Sequence, residues 1–305
     1  MKRAISLLFL IACGHGPAHP PQASSLPQSL IDKRNLYLNL TKAEQGYAGF
    51  TDLDNCDSVL YSGLLGAGGA VVDLTAARLA DGTWTRNPTR DCYADGGSDS
   101  TFSRDMFMGL LWWTFENSRL DVAQATYDYC ALQPTFTVTG CIFGQGSLFD
   151  PKYIITQNGL ATLTRLITTL GGSDHPVIDN LYTKESSGLV GFEANLAVLH
   201  ILLRGRLENS VSDLNLAVLK EQADRQPQNA LFQFAYHKYT DGDQTSAIAV
   251  LENEQYFPAD RLPTSADRCE EYLWQRDYGK DWIPCDDGKT HPGADFLFLT
   301  QQLME

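Results

Sequence analysis

The chain has 305 residues, 43 % hydrophobic and 20 % charged, with 37 acidic against 23 basic side chains and a formal charge of −14. That apolar fraction supports a folded core and excludes a disordered polyelectrolyte, while the acidic excess repels phosphate backbones and anionic headgroups, so nucleic acid is excluded as a partner. P-loop, dinucleotide-binding GxGxxG, HExxH and GxSxG signatures are absent, and no CxxC pair or Cys/His cluster has zinc spacing, so neither a cofactor nor a metal is expected.

The first element is a leader. Lys2 and Arg3 precede an apolar run over residues 4–12, which is far shorter than the roughly 20 residues needed to cross a bilayer. Residues 1–12 therefore read as a signal peptide. Leu10-Ile11-Ala12-Cys13 resembles a bacterial lipobox, and the resemblance implies that Cys13 becomes the lipidated first residue of the mature protein. Gly14 follows where an aspartate would imply retention at the inner membrane, so the resemblance implies a lipid-anchored protein of the cell envelope, at the outer membrane. An ordinary secretion signal with an incidental Cys13 is the alternative, and both export the chain. Loss of Lys2 and Arg3 takes the charge from −14 to −16, so membrane contact is expected through the lipid alone. Residues 14–29 are rich in Pro, Gly and Ser without a charge, so 13–29 is a lipidated, flexible tether ahead of a single domain over 30–305.

Apolar spacing at the helical period predicts helices near 27–38, 56–66, 102–117, 120–131, 153–170, 190–206, 211–224, 228–239, 244–254 and 295–304. Residues 134–146, PTFTVTGCIFGQG, carry β-branched and aromatic residues broken by glycines and predict a minor β-hairpin. Tight polar turns at 116–121, 205–213, 225–229 and 240–244 force neighbouring helices to run antiparallel. The fold expected is all-α: an irregular α/α-hairpin toroid or partial ring. Three long loops, at 82–101, 134–152 and 255–294, exceed the about 12–15 residues usual in compact domains, which marks them as candidate functional segments.

Apart from Cys13 there are six cysteines, Cys56, Cys92, Cys130, Cys141, Cys269 and Cys285, an even number that points to disulfides in an exported chain. Pairing between neighbours would join Cys130 to Cys141, Cys269 to Cys285 and Cys56 to Cys92. These bonds would pin the loops.

Two helices carry unusual stripes. The run from 106 to 115 has no charge on any face, so its helix is expected to be central. Yet Asp105, Gly109, Trp112 and Glu116 fall at i, i+4, i+7 and i+11 on one face. In GFEANLAVLHILLRGR, Glu193, Ala197, His200 and Arg204 repeat that spacing. Two apolar helices with one polar stripe each are what lining a shared cavity would produce. In this the chain resembles α/α-toroid glycan-active enzymes, glycosidases and polysaccharide lyases. The resemblance is architectural and carries over no catalytic residue.

Glycoside hydrolysis requires two carboxylates, one as acid and one as base or nucleophile. Asp105 is the first candidate and Glu193 the second, with Asp91, Asp95 and Asp277 as loop alternatives. Lyase chemistry instead needs a base, His200 or Tyr93, and an arginine, Arg90 or Arg104, to neutralise a sugar carboxylate. Trp112 and the loop residues Trp84, Trp274 and Trp282 are candidate stacking platforms for a polysaccharide or surface glycan. Each has a plainer role: Asp105 at a helix N-terminus complements the macrodipole, and His200 between Leu199 and Ile201 suits a hydrogen-bonded core position. Two functions follow, a glycan-active enzyme or a non-catalytic lipoprotein that binds a glycan or protein through its loop face.

Overall fold

The structure, a computed structural model, describes residues 26–44, 58–86, 102–133, 140–142, 154–180, 182–264, 290–291 and 293–305. Cys13, Cys56, Arg90, Cys92, Tyr93, Cys269, Trp274 and Cys285 lie outside them, as do Asp91, Asp95, Asp277 and Trp282. What is described is mostly helical. In chain order the helices are α1 (Gln28–Glu44), α2 (Ser58–Ala67), α3 (Arg104–Glu116), α4 (Leu120–Ala131), α5 (Gln157–Thr169), α6 (Pro176–Asp179), α7 (Gly191–Glu208), α8 (Asp213–Arg225), α9 (Ala230–Lys238), α10 (Thr245–Glu252) and α11 (Ala294–Met304). Every helix that the periodicity predicts is present.

The sequence explains the local boundaries. Thr156, Ser212 and Asn229 stand at the N-caps of α5, α8 and α9, and their side chains accept from Gly159 N, Asn215 N and Leu231 N. Each such cap stabilises its helix by about 1 kcal/mol. Asn209 ends α7 in the left-handed conformation, at φ 54°.

Burial sorts the helices. In α3 the residues from Asp105 to Thr114 are all buried, and α7 is buried over most of its length, so both run through the core as their sequences require. α2 and α3 pack backbone to backbone. A Cβ on Gly63 would stand 2.2 Å from Gly109 O, and one on Gly109 would stand 2.5 Å from the Leu60 Cα. Only glycine permits this crossing. α11 returns the end of the chain to the centre, where it packs on α2, α1 and α9. Arg34 of α1 binds this junction, donating to Gly68 O at 2.7 Å and Gln301 Oε1 at 2.8 Å. Lys33 ties the same helix to the end of α10 by donating to Phe257 O at 2.7 Å and Leu251 O at 3.2 Å, and burial lowers its pKa. α7, α8, α9 and α10 follow as packed sequential neighbours, as the short turns imply.

Cys130 at the end of α4 is bonded to Cys141, as neighbour pairing predicts, with the Cα atoms 5.2 Å apart. A bond of this kind contributes about 2–4 kcal/mol. The strand β1 (Cys141–Ile142) pairs antiparallel with β2 (Ile154–Ile155). The expected hairpin is thereby corrected: the described part of 134–146 finds its partner downstream, directly before α5, where the pairing carries that helix into place.

Candidate functional site

α3, α5, α7 and the irregular segment 182–190 enclose a cavity of about 480 Å³. From α7 come Glu193, Ala197 and His200, the first three members of the stripe read from the sequence, together with Leu196. α3 contributes Arg104, Phe107 and Met108, and the start of α5 contributes Gln157, Asn158 and Gly159. Thr183, Glu185 and Leu189 close the space from the segment between α6 and α7. Its volume is in the range of small-molecule sites.

Asp105 takes no part. It is 5 % exposed and turned away, with its carboxylate accepting from Ser103 Oγ and lying 3.9 Å from Arg86 Nη2. Arg86 also donates to Ser103 Oγ at 3.2 Å, so the three residues share one buried cluster. The other members of the α3 stripe are equally committed. Gly109 meets α2, Trp112 donates its indole N–H to Leu199 O at 3.2 Å, and Glu116 binds Arg206 at 2.9 Å and Gln302 at 3.0 Å. The stripe on α3 faces packed protein. The face that meets the cavity lies one residue away, at Arg104, Phe107 and Met108, because each residue turns a helix by about 100°.

Two further expectations are corrected. Trp84, expected as a loop platform, is 1 % exposed and packs 6.1 Å from the Phe102 ring. Trp112 is fully buried, edge-on to Phe298 at 4.8 Å. Both large rings are stabilised more by removal from water than by display at a surface.

The groups that do meet are already partnered. Arg104 Nη2 donates to Glu193 Oε1 at 2.6 Å across the cavity wall, with both side chains partly open to solvent. His200 Nδ1 lies 2.9 Å from Glu185 Oε1, and its Nε2 lies 2.5 Å from the hydroxyl of Thr162, itself 3.0 Å from Asn158 O. Hydroxyl, imidazole and carboxylate in a row have the order of a nucleophile, base and orienting acid. Thr162 is fully buried within α5, however, so no substrate carbon reaches its hydroxyl. Both ring nitrogens of His200 are hydrogen-bonded to protein atoms, so a bound molecule would have to displace Thr162 or Glu185 to reach one. His200 is thus a hydrogen-bonded core residue that also lines the cavity.

The segment bearing Glu185 is fixed from several sides. Asn158 accepts from Thr183 N at 2.7 Å and donates to Thr183 O at 3.0 Å, and Asn215 Oδ1 accepts from Glu185 N at 3.0 Å. Further along, Gln222 donates to Leu189 O at 2.9 Å and Glu221 accepts from Gly188 N at 3.0 Å. Tyr182 at its start stands edge-on to His200, and burial pushes its pKa up to about 12, so its phenol stays protonated. The last stripe residue, Arg204, lies beyond this ring and is spent on Asp179 at 2.9 Å, Ala161 O at 3.0 Å and Glu208.

Glu185, Asn158 and Thr162 escape a sequence reading. Asn158 and Thr162 do stand at i, i+4 on α5, a polar pair on an amphipathic helix that offers a usable signal. Among the described residues no three His, Cys, Asp or Glu side chains are grouped to hold a metal ion, and no helix is long and apolar enough to cross a membrane.

Among the described residues, fold and site define a helical protein with a pocket of mixed polar and apolar walls cut into the side of its two central helices. No protein-family model, no curated protein and no solved structure matches the chain.

Proposed function

We propose that this chain is an exported, lipid-anchored protein of the bacterial cell envelope that binds a saccharide of a polysaccharide or surface glycan in the α3–α5–α7 cavity without cleaving it. The leader over residues 1–12 and the lipobox-like segment ending at Cys13 support export and anchoring, as does the Cys130–Cys141 disulfide, since such bonds persist in oxidising compartments. Helical hairpins closed by the return of α11 onto α2 support a toroid-like ring.

One observation carries the binding reading. The cavity sets the apolar side chains of Phe107, Met108, Leu189 and Leu196 against the Arg104–Glu193 pair and Glu185, the mixture that a sugar ring with apolar faces and hydroxyl edges requires. Its ionisable groups are held in place by each other. That arrangement pre-organises recognition, and an elimination would need an imidazole base that His200, bound at both ring nitrogens, does not offer.

The test is a calorimetric and reducing-end screen of the purified mature protein against neutral and acidic oligosaccharides. Binding without release of product is expected, with about tenfold weaker affinity after Arg104→Ala. Product formation would overturn the non-catalytic reading, and the absence of binding to any saccharide would overturn the site. Replacement of Cys13 by serine is expected to abolish incorporation of a palmitate analogue and release the protein from membranes. A protein still labelled after that change would overturn the anchor.

A further inference from the structure

The choice of saccharide follows from the hydrogen-bond inventory of the cavity, and the argument rests on the saccharide reading given above. Among the described residues the cavity wall contains two carboxylates, Glu185 and Glu193, one guanidinium, Arg104, and the imidazole of His200, with no lysine. The charge of that guanidinium is already balanced by Glu193, whose Oε1 accepts from its Nη2 at 2.6 Å. A ligand carboxylate would add a third negative charge beside Glu185 and Glu193 with only that one guanidinium to offset them.

Two neutral polar residues of the wall, Asn158 and Thr183, are spent on each other. Asn158 gives its amide protons to Thr183 O and, at 3.4 Å, to Glu185 Oε1, and its amide oxygen accepts from Thr183 N and Thr183 Oγ1, so neither side chain presents a spare proton. The two carboxylates add acceptor capacity. Glu193 and Glu185 engage Arg104 and His200 through Oε1, and an ionised carboxyl accepts at about four lone-pair positions. The ligand that complements such a wall is rich in donors and carries no negative charge. Hydroxyl groups meet this demand, since each donates to a carboxylate while accepting from a remaining N–H of Arg104.

We infer that the cavity takes an uncharged, hydroxyl-rich sugar unit and rejects the corresponding uronate. The selectivity resides in Glu193, which neutralises Arg104. Like-charge juxtaposition in a half-buried site is a strong means of rejecting the wrong partner.

Matched pairs of oligosaccharides test this: gluco-, galacto- and manno-oligomers against the same rings oxidised at C6, titrated calorimetrically at low salt. The preferred neutral oligomer is expected to bind at least about tenfold more tightly than its uronate partner. Glu193→Gln is expected to shrink that ratio by loosening the hold on Arg104, and Glu185→Gln to shrink it less. A uronate that binds as well as its neutral partner would overturn the inference and leave the saccharide reading intact. Failure of every oligomer in every pair would overturn both.

Discussion

The stripes on α3 and α7 have the same spacing and opposite fates. On α3, Asp105, Gly109, Trp112 and Glu116 all point into packed protein, each with a partner of its own. On α7, Glu193, Ala197 and His200 open onto a cavity. The difference lies in what crosses each face. α2 approaches α3 so closely along Gly109 that no side chain fits between them, while α7 meets α5 and the 182–190 segment across Ala197 with space left over. A periodic stripe therefore reports that residues share a direction. Whether that direction holds a neighbour or a cavity is decided by another element.

The sharpest way to break the comparison is to alter the small residue in each stripe. Gly109→Ala puts a Cβ within 2.6 Å of the α2 backbone, which cannot yield as a side chain would. The expected loss is about 3 kcal/mol or more in denaturant unfolding, at the upper end for overpacking. Ala197→Ser on α7 should cost only about 0.5 kcal/mol, the helix-propensity difference. Equal losses would mean that Ala197 also faces packed protein.

The carboxylates give the next contrast. Asp105→Ala leaves Arg86 buried without this partner and should destabilise by about 3 kcal/mol, as breaking a buried pair does. Glu193→Ala removes a partly exposed ion pair and should cost under about 1 kcal/mol. A larger loss at Glu193 than at Asp105 would reverse the assignment of structural and binding roles.

Glu116, at the far end of the α3 stripe, should give the smallest signal. Burial raises its pKa, with Arg206 opposing and Glu305 adding to the rise. The folded protein then holds this proton more tightly than the unfolded chain. The stabilisation is complete below the ordinary glutamate value of 4.5 and is lost as pH rises through the folded value. Unfolding free energy plotted against pH should fall less steeply over that window for Glu116→Gln than for the unaltered protein. Parallel curves would show that burial does not raise the Glu116 pKa.

The helices were legible because each long apolar face repeats every 3.6 residues, and every such pattern reappears as a helix. α6 was not, because Pro176–Asp179 is too short for a period to register. In the site, α7 was legible for the same reason as the fold. Asp105 misled because one residue of rotation, about 100°, separates the cavity face of α3 from the face that meets α2. Glu185 had no pattern at all, since the segment 182–190 is held by side chains of α5 and α8 far away in sequence. Trp84 shows the converse: a tryptophan in a polar loop can be core when the loop folds back, as the bridge between Arg78 and Trp84 does here.

The most direct test is a paired calorimetric titration of the preferred neutral oligosaccharide into Asp105→Asn and Glu193→Gln, carried out where both remain folded. The account predicts unchanged affinity for Asp105→Asn and affinity about tenfold weaker for Glu193→Gln. Loss of binding in Asp105→Asn with Glu193→Gln unaffected would contradict it.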